Sequence, residues 1–260
     1  MSLIERLQDS MRHAASERYT SVRVPPFTAF FHPFDALVYL NYAIPDGPVT
    51  GDTREALRRL RSEFETRSRI PRFEYIDALA PELAGMLRDA GYRQEAEARL
   101  MVCTRDSYVS LRAPEGLTFS VLTPESPREE ARAFCATTRQ GFEPGTTPVI
   151  SDEEVSKTLA DLKDGRAFLA KMGGKPVSGG LFSSPHQATS ELAGVATLQE
   201  WRGRGIGAAL VSRAAEEAFA QGVEVLFLST ITEEAGRLYE RAGFRFLTRM
   251  LFYVDAAAPQ

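Results

Sequence analysis

The sequence predicts an α/β protein in which two similar halves each fold as a mixed sheet flanked by helices. Strand-like and helix-like segments alternate along the whole chain, which is the pattern of this fold class. A glycine-rich segment joins a strand to a helix late in the chain, and a short block at Ala90 recurs at Ala242. The 260 residues are enough for two domains of ordinary size.

Composition excludes several functional classes. The net charge is −4 and no run of basic residues occurs, so we expect no nucleic-acid partner. No apolar run is long enough for a membrane span, and Glu5 and Asp9 interrupt the N-terminal apolar pattern, so we expect neither a signal peptide nor a membrane partner. Cys103 and Cys135 are far apart and form no metal or redox spacing, which favours a cytoplasmic protein without a metal.

The elements of the first half follow from apolar periodicity and from the residues that break it. They are a helix over residues 3–15, strands over Thr20–Val24, Phe27–Phe31 and Ala36–Ile44, a helix over Thr53–Arg67, a strand over Arg72–Ile76, a helix over Ala80–Ala90 and a strand over Arg99–Thr104. Pro114 and Gly116 mark residues 106–116 as a linker. We therefore predict one domain over residues 1–105 and a second over 117–260.

The second half begins with the same alternation of strands and helices. Its predicted elements are a strand over Leu117–Leu122, helices over Pro124–Thr138 and Asp152–Leu162, and strands over Ala167–Lys171, Val177–Ser183 and Thr189–Thr197, with a later strand over Val223–Thr230, a short helix and a terminal strand. Ser151 and Glu154 form a capping-box pattern at the start of the second helix.

The segment from Glu191 to Gly222 is the centre of this half. It begins as a strand and ends as a helix whose apolar residues recur on one face, namely Ile206, Leu210, Val211, Ala214 and Ala218. The turn between them contains Gly203, Gly205 and Gly207, which allow the backbone to approach a ligand closely. The unpaired N–H groups at a helix start bind anions, and phosphate above all.

Two familiar phosphate loops do not fit this turn. The Walker pattern requires Gly-Lys-Ser/Thr, which is absent, and the dinucleotide fingerprint spaces its glycines differently and lies at the start of its unit. The order R-x-x-G-x-G over Arg202–Gly207, followed downstream by A-x-x-x-Y-x-x-x-G-F from Ala235 to Phe244, instead resembles the GNAT acetyltransferase superfamily.

The resemblance implies that acetyl-CoA is the co-substrate and that no metal takes part. It implies that the pyrophosphate of acetyl-CoA binds at the loop and that the strand before the loop contacts the thioester and pantetheine. The cofactor-binding residues would be Val195, Ala196, Thr197, Arg202, Gly203, Arg204, Gly205, Ile206, Gly207 and Ala208. Among them, the N–H of Val195 would face the thioester oxygen, and Arg202 and Arg204 would add positive charge beside the phosphates.

Two further residues take catalytic roles under the same resemblance. Tyr239 would protonate the leaving thiolate. Glu191 would remove the proton from the substrate amine, although a chain of water molecules is an equally open choice for that step. Period-two alternation along the strand predicts that Glu191 and Val195 lie on the same face.

An internal repeat extends the resemblance to the first half. Ala90-Gly91-Tyr92-Arg93 matches Ala242-Gly243-Phe244-Arg245 at an offset of 152 (242 − 90). At this offset Asp52 and Glu55 fall in the segment that aligns with the glycine loop, where they would repel a pyrophosphate. We therefore predict a degenerate first copy that does not bind CoA.

These observations lead to one functional hypothesis and two alternatives. The hypothesis is an acetyl-CoA-dependent N-acetyltransferase that transfers acetyl to a primary amine of a small molecule or peptide by direct attack in a ternary complex. The alternatives are a non-catalytic acyl-CoA sensor and a partner-binding protein. The sequence does not name the amine, and it is compatible with a homodimer.

Overall fold

A computed structural model describes residues 1–33 and 36–257 and shows the predicted mixed α/β fold. In chain order the helices and strands are α1 (Leu3–Arg18), β1 (Thr20–Val24), β2 (Phe27–Phe31), β3 (Tyr42–Pro45), α2 (Arg54–Glu65), β4 (Arg72–Ile76), α3 (Leu83–Asp89), β5 (Tyr92–Thr104), β6 (Leu117–Leu122), α4 (Arg128–Phe142), α5 (Asp152–Leu162), β7 (Arg166–Met172), β8 (Lys175–Phe182), β9 (Thr189–Thr197), α6 (Ile206–Ala220), β10 (Val225–Thr230), α7 (Glu233–Arg241) and β11 (Arg245–Asp255).

The chain divides into two compact units, but not at a single linker. The first unit contains Met1–Leu100, Ser229–Thr232 and the chain from Phe246 onward, and the second contains Met101–Leu228 and Glu233–Arg245. The predicted domains were 1–105 and 117–260. In the structure, residues 101–105 belong to the second unit, and residues 229–232 and the terminal strand belong to the first. Residues 258–260 of the predicted second range lie outside the described residues.

The first unit incorporates a strand from the far end of the chain. Its strand order is β1-β2-β3-β4-β11-β5, and β11 runs antiparallel to β4 with Met250 opposite Ile76. Leu251 and Tyr253 of β11 are buried in the same core as Phe73 of β4. This burial of apolar side chains explains why β11 groups with the first unit although it follows the second in sequence.

The second unit has the strand order β10-β9-β8-β7-β6, with α6 at the centre of its core. All five residues of the predicted apolar face of α6 are buried. Met101 and Cys103, at the end of β5, are buried in this core as well. The predicted linker 106–116 also packs here, because the Leu111 N–H donates to Ser212 Oγ of α6 at 2.9 Å.

Three predicted elements differ most from the observed ones. Residues 36–44 form a 3₁₀ turn over Val38–Leu40 before β3, and Leu37 and Tyr39 are exposed rather than packed as a buried strand requires. The strand predicted from Arg99 begins at Tyr92, and its added part contains the exposed polar residues Gln94, Glu95 and Glu97, which hid it from a search for apolar runs. The helix predicted from Pro124 begins after Pro127, whose ring suits a helix start.

The internal sequence repeat also appears in the positions of the helices and glycines of the two halves. Helices α2 and α6 begin at Arg54 and Ile206, which are 152 residues apart (206 − 54), the offset found between the repeated blocks. Gly91 and Gly243 both have positive φ, +82° and +97°. A Cβ on Gly243 would lie 2.0 Å from the Ser107 carbonyl oxygen, so no larger residue fits there.

Candidate active site

A bulge interrupts β9 where the oxyanion donor is predicted. The antiparallel register with β8 pairs Ala193 with Leu181 and Ala196 with Gly179, so Gly194 and Val195 together oppose the single residue Gly180. Gly194 has a φ of +64°, a conformation that glycine adopts without steric cost. The bulge therefore changes the direction of the backbone N–H groups at Val195.

The bulge also changes which face of the sheet each side chain occupies. A Cβ on Gly180 would lie 3.1 Å from Val195 Cγ2 and 3.0 Å from Leu210 Cδ2, so Val195 faces α6. Glu191 and Ala193 are two residues apart on β9, so their side chains point to the same face of the sheet. Ala193 pairs with Leu181 of β8, which points to the same face as Gly179. A Cβ on Gly179 would contact α4 at Phe134, so Glu191 faces α4. The prediction that Glu191 and Val195 share a face was wrong, because the extra residue breaks the alternation.

Strands β9 and β10 diverge just before the bulge. Within the described chain, their parallel register covers three pairs and ends at Glu191 opposite Phe227, whereas β9 continues to Thr197. Backbone groups of β9 beyond Glu191 are therefore positioned beside an opening instead of a neighbouring strand. Glu191 lies at the point where the opening starts.

The glycine loop leads directly into α6. Gly203 and Gly205 have φ values of +75° and +79°, and Gly205 is the N-cap residue. The Ala209 N–H makes the first helical bond, to the Gly205 carbonyl oxygen at 3.0 Å. The N–H groups of the first turn, Ile206, Gly207 and Ala208, thus have no acceptor inside the helix. Their orientation and the helix dipole suit an anionic ligand.

The two loop arginines interact with the protein itself. Arg202 donates through Nε to the Thr197 carbonyl oxygen at 3.0 Å and through Nη2 to the Gly141 carbonyl oxygen at 2.6 Å. Arg204 donates to the Glu200 carbonyl oxygen at 3.0 Å, and its guanidinium lies 4.7 Å from the centre of the Trp201 ring. Both arginines therefore shape the loop, a role that the sequence reasoning did not foresee.

A buried hydroxyl pair connects the central strands to the loop helix. Ser178 of β8 is fully buried, donates to the Ala196 carbonyl oxygen at 2.7 Å and lies 2.9 Å from Thr197 Oγ1. A Cβ on Gly207 would be 3.3 Å from the same Thr197 oxygen. Sequence reasoning missed Ser178, although a serine beside Gly179 and Gly180 in an apolar strand signals close packing.

Tyr239 lies on α7, next to the loop helix. The preceding residue, Leu238, would contact a Cβ on Gly207 at 3.1 Å, so α7 packs against the first turn of α6. The Tyr239 ring packs edge-on against Phe244, with 5.9 Å between centroids. Burial raises the pKa of Tyr239 above its ordinary value, which keeps the hydroxyl protonated near neutral pH. Such a hydroxyl is able to donate a proton or a hydrogen bond.

Neither a membrane-spanning helix nor a metal-binding cluster is found among the described residues. No helix in residues 1–33 and 36–257 is both long and apolar enough to cross a membrane. The same residues include no group of three or more His, Cys, Asp or Glu side chains arranged to hold a metal ion.

Comparison with known proteins shows which family model and which solved structures this chain resembles. Residues 133–244 match the model of the Acetyltransferase (GNAT) family. A GCN5-related N-acetyltransferase from Kribbella flavida superposes with a TM-score of 0.83 at 23% identity, over 99% of this chain and 97% of that one. A GCN5-related N-acetyltransferase from Sphaerobacter thermophilus gives 0.65 at 20% identity, over 88% and 76%.

A tandem GNAT protein from the clavulanic acid biosynthesis pathway superposes with a TM-score of 0.66 at 14% identity, over 90% of this chain and 79% of that one. No curated protein matches the sequence. The mixed α/β fold with its diverging central strands is the fold of these solved GNAT structures. Residues 133–244 match the GNAT acetyltransferase family model, and the chain shares the fold of solved GNAT proteins, including a tandem one.

Proposed function

We propose that the second unit is an acetyl-CoA-dependent N-acetyltransferase that acetylates a primary amine of a small molecule or peptide. The observation that carries this proposal is the divergence of β9 from β10 after Glu191, together with the packing of the end of β9 on the first turn of α6, where a Cβ on Gly207 would be 3.3 Å from Thr197 Oγ1. In this arrangement pantetheine lies along β9 and the pyrophosphate binds the N–H groups from Gly203 to Ala208. The thioester carbon then lies near the bulge.

The bulge supplies the electrophilic half of the reaction. The Val195 N–H donates to the thioester oxygen and stabilises the negative charge that develops there as the amine attacks. Gly194 permits the backbone direction that this requires, and Ser178 fixes the strand through the Ala196 carbonyl group. The attacking nitrogen forms a bond to the carbonyl carbon, and the carbon–sulfur bond then breaks.

Two side chains handle the protons. Glu191, on the α4 face, accepts the proton of the substrate ammonium directly or through water, which frees the nitrogen lone pair. Tyr239 gives its proton to the departing CoA sulfur, and its raised pKa keeps that proton available. The base and the acid thus lie on different elements, β9 and α7. The attacking nitrogen loses its second proton to solvent as the acetamide forms, solvent restores the proton of Tyr239, and Glu191 returns its proton to solvent, so the products are an acetamide, free CoA and one proton.

The first unit, in this proposal, does not bind CoA. At the start of α2, the equivalent position to the glycine loop, the Asp52 carboxylate accepts from the Arg54 N–H at 3.0 Å and pairs with the Arg54 guanidinium at 2.8 Å. These bonds lower the pKa of Asp52 to about 2, so the group is anionic at neutral pH. The helix start already holds a carboxylate of its own chain, which excludes a phosphate there.

The test is thiol release from acetyl-CoA with a panel of small amines and peptides, with the acetylated product identified by mass spectrometry. We expect at least one amine to give equal amounts of thiol and acetamide. A matched control is Glu191→Gln, which keeps shape and removes the base. CoA binding without turnover on any amine would support the acyl-CoA sensor, and absence of CoA binding would reject the CoA assignment.

A further inference from the structure

A pocket in the first unit lies between α1, the end of β3 and the turn that follows β4. It has a volume of about 520 Å³ and is lined by Met1, Glu5, Gln8, Asp9, Arg12, Asp46, Gly47, Pro48 and Leu79. This volume falls within the range of small-ligand sites, roughly 300–1,000 Å³. All of these residues belong to the first unit, and the acetyl-transfer scheme uses none of them.

Helix α1 contributes one polar stripe to this pocket. Gln8, Asp9 and Arg12 follow Glu5 at i+3, i+4 and i+7, so the four side chains lie on the same side of the helix. Gln8 is only 2% exposed, although its neighbours in the stripe are partly accessible. A glutamine that is buried to this extent requires hydrogen-bond partners for both ends of its amide group.

The structure provides a partner for only one end of the Gln8 amide. Its Oε1 atom accepts from the Ile76 N–H, at the end of β4, at 3.0 Å. Because this bond fixes the orientation of the amide, the hydrogens of Nε2 have to point elsewhere. Among the described residues, Nε2 has no hydrogen-bond partner. Since Gln8 lines the pocket, a ligand with an acceptor oxygen would satisfy this donor.

Negative charge predominates in the pocket. It is lined by the carboxylates of Glu5, Asp9 and Asp46 and by a single guanidinium, that of Arg12. Arg12 pairs with Asp9 and donates through Nη1 to the Asp46 carbonyl oxygen at 2.6 Å, so its charge is already engaged. The Ser2 N–H donates to Glu5 at 2.6 Å and lowers the pKa of that carboxyl, which keeps it anionic at neutral pH. The pocket therefore favours a cation over an anion.

We propose that this pocket binds a small organic cation that carries an amide carbonyl group, of the class of short peptides with a free amino terminus. Gln8 Nε2 donates to a carbonyl oxygen of the ligand, and Glu5 receives its ammonium group. The carboxylates of the pocket repel a free terminal carboxylate, so the preferred ligand has a neutral carboxyl end. The inference does not depend on the proposed function, because every residue it uses belongs to the first unit.

The test is calorimetry on the full chain with glycylglycinamide, which has an ammonium group, amide carbonyl groups and no carboxylate. Its N-acetyl derivative lacks the ammonium charge, and glycylglycine carries a terminal carboxylate. We expect both to bind on the order of ten-fold more weakly than glycylglycinamide.

Two substitutions separate the donor from the charge. Gln8→Met removes the donor at similar volume, and Glu5→Gln removes the charge but keeps an oxygen that can accept from the Ser2 N–H. Each is expected to weaken glycylglycinamide binding on the order of ten-fold. The control is Glu17→Gln, on the same helix but outside the residues that line the pocket, and it should bind like the wild type.

A second measurement reports on Gln8 directly. In isotope-labelled full-length protein, the side-chain amide signals of Gln8, assigned by their loss in Gln8→Met, should shift when glycylglycinamide is added. If Gln8→Met does not fold, Glu5→Gln and the comparison of the three ligands decide the question. Absence of binding to the wild type would overturn the inference, as would binding that Glu5→Gln and a folded Gln8→Met leave unchanged.

The acceptor site of the second unit is controlled for separately. Glycylglycinamide binding that is lost in Glu191→Gln and retained in Glu5→Gln would place the peptide at that site and reject the pocket of the first unit. Failure of every amine to accept an acetyl group would refute the proposed function, but binding that depends on Gln8 and Glu5 would still establish this site.

Discussion

Arg202 donates a hydrogen bond through Nη2 to the carbonyl oxygen of Gly141, 2.6 Å away at the end of α4. Through Nε the same guanidinium reaches the Thr197 carbonyl oxygen at the end of β9. A Cβ on Gly141 would be 2.8 Å from the Ala196 Cβ, so α4 packs on β9 too closely for any residue larger than glycine at this position. The Arg202 side chain therefore connects the glycine loop to the end of β9 and to the end of α4.

We predict that Arg202→Lys lowers stability, because an ammonium group cannot reach both carbonyl groups with the geometry of a guanidinium. The expected loss is about 1–2 kcal/mol, which corresponds to a fall of roughly 2–8 °C in melting temperature. Thermal unfolding without ligand is the measurement, with Arg204→Lys as the control, because the hydrogen bond of Arg204 is exposed. If Arg202 were a phosphate ligand instead, the lysine variant would melt normally and bind CoA more weakly.

A pair of substitutions at Gly205 separates backbone strain from charge. Its φ of +79° costs an alanine about 1–2 kcal/mol, so Gly205→Ala is expected to weaken CoA binding modestly. Gly205→Glu carries the same strain and adds a carboxylate at the anion site, so binding should disappear. Calorimetry with CoA compares the two. Equal affinities of the alanine and glutamate variants would show that no phosphate lies at this loop.

Removal of the Tyr239 hydroxyl is expected to affect the chemical step. Tyr239→Phe should reduce single-turnover rates on the order of 10²-fold while acetyl-CoA affinity stays near the wild-type value. The pKa of the phenol is raised, so the proton-donating form persists as pH increases. Wild-type activity should thus show no loss due to Tyr239 below about pH 10. A folded variant with the full single-turnover rate would assign the proton to water.

The binding stoichiometry tests the asymmetry between the two copies. We expect one CoA per chain, because Asp52 occupies the helix start in the first unit. Calorimetric titration of the full chain gives this number directly. A second site that survives Gly205→Glu would contradict the assignment of the first copy as degenerate.

Truncation after Phe244 tests the assignment of β11 to the first unit. The variant retains every element of the second unit's sheet but loses Leu251 and Tyr253 from the first unit's core. Since each large buried side chain contributes about 1.5–3 kcal/mol or more, the first unit should not fold. Limited proteolysis would then cut within residues 1–100. Protection of that region equal to the full chain would show that β11 is dispensable.

The sequence predicted the local backbone of the glycine loop and the buried face of α6 more completely than the boundaries of the two units. Gly203 and Gly205 indicated a loop with positive φ, and the apolar positions of α6 indicated its buried face; both depend on neighbouring residues only. The position of β11 depends on a choice between partners distant in sequence, which the pattern FRFLTRMLFYV does not reveal. Gly194 was visible in the sequence, but a single glycine in a strand does not by itself indicate a bulge.

The side-chain contacts of the loop were equally hidden. In the sequence, an arginine before a glycine loop predicts a phosphate ligand, because its positive charge attracts the negative charge of a phosphate. Its actual acceptors, on Thr197 and Gly141, come together only after α4 has packed on β9. The same holds for Ser178, whose partner Thr197 is on the neighbouring strand.

The assignment of β11 to the first unit sets an order for folding during synthesis. A ribosome releases residues 1–100 long before it makes the strand that lies between β4 and β5. Until then the nascent first unit has a gap in its sheet, with two strand edges open to pairing with other chains. The N-terminal part of this protein therefore has to finish folding last, and its need for protection by chaperones is greatest while the second unit is being made.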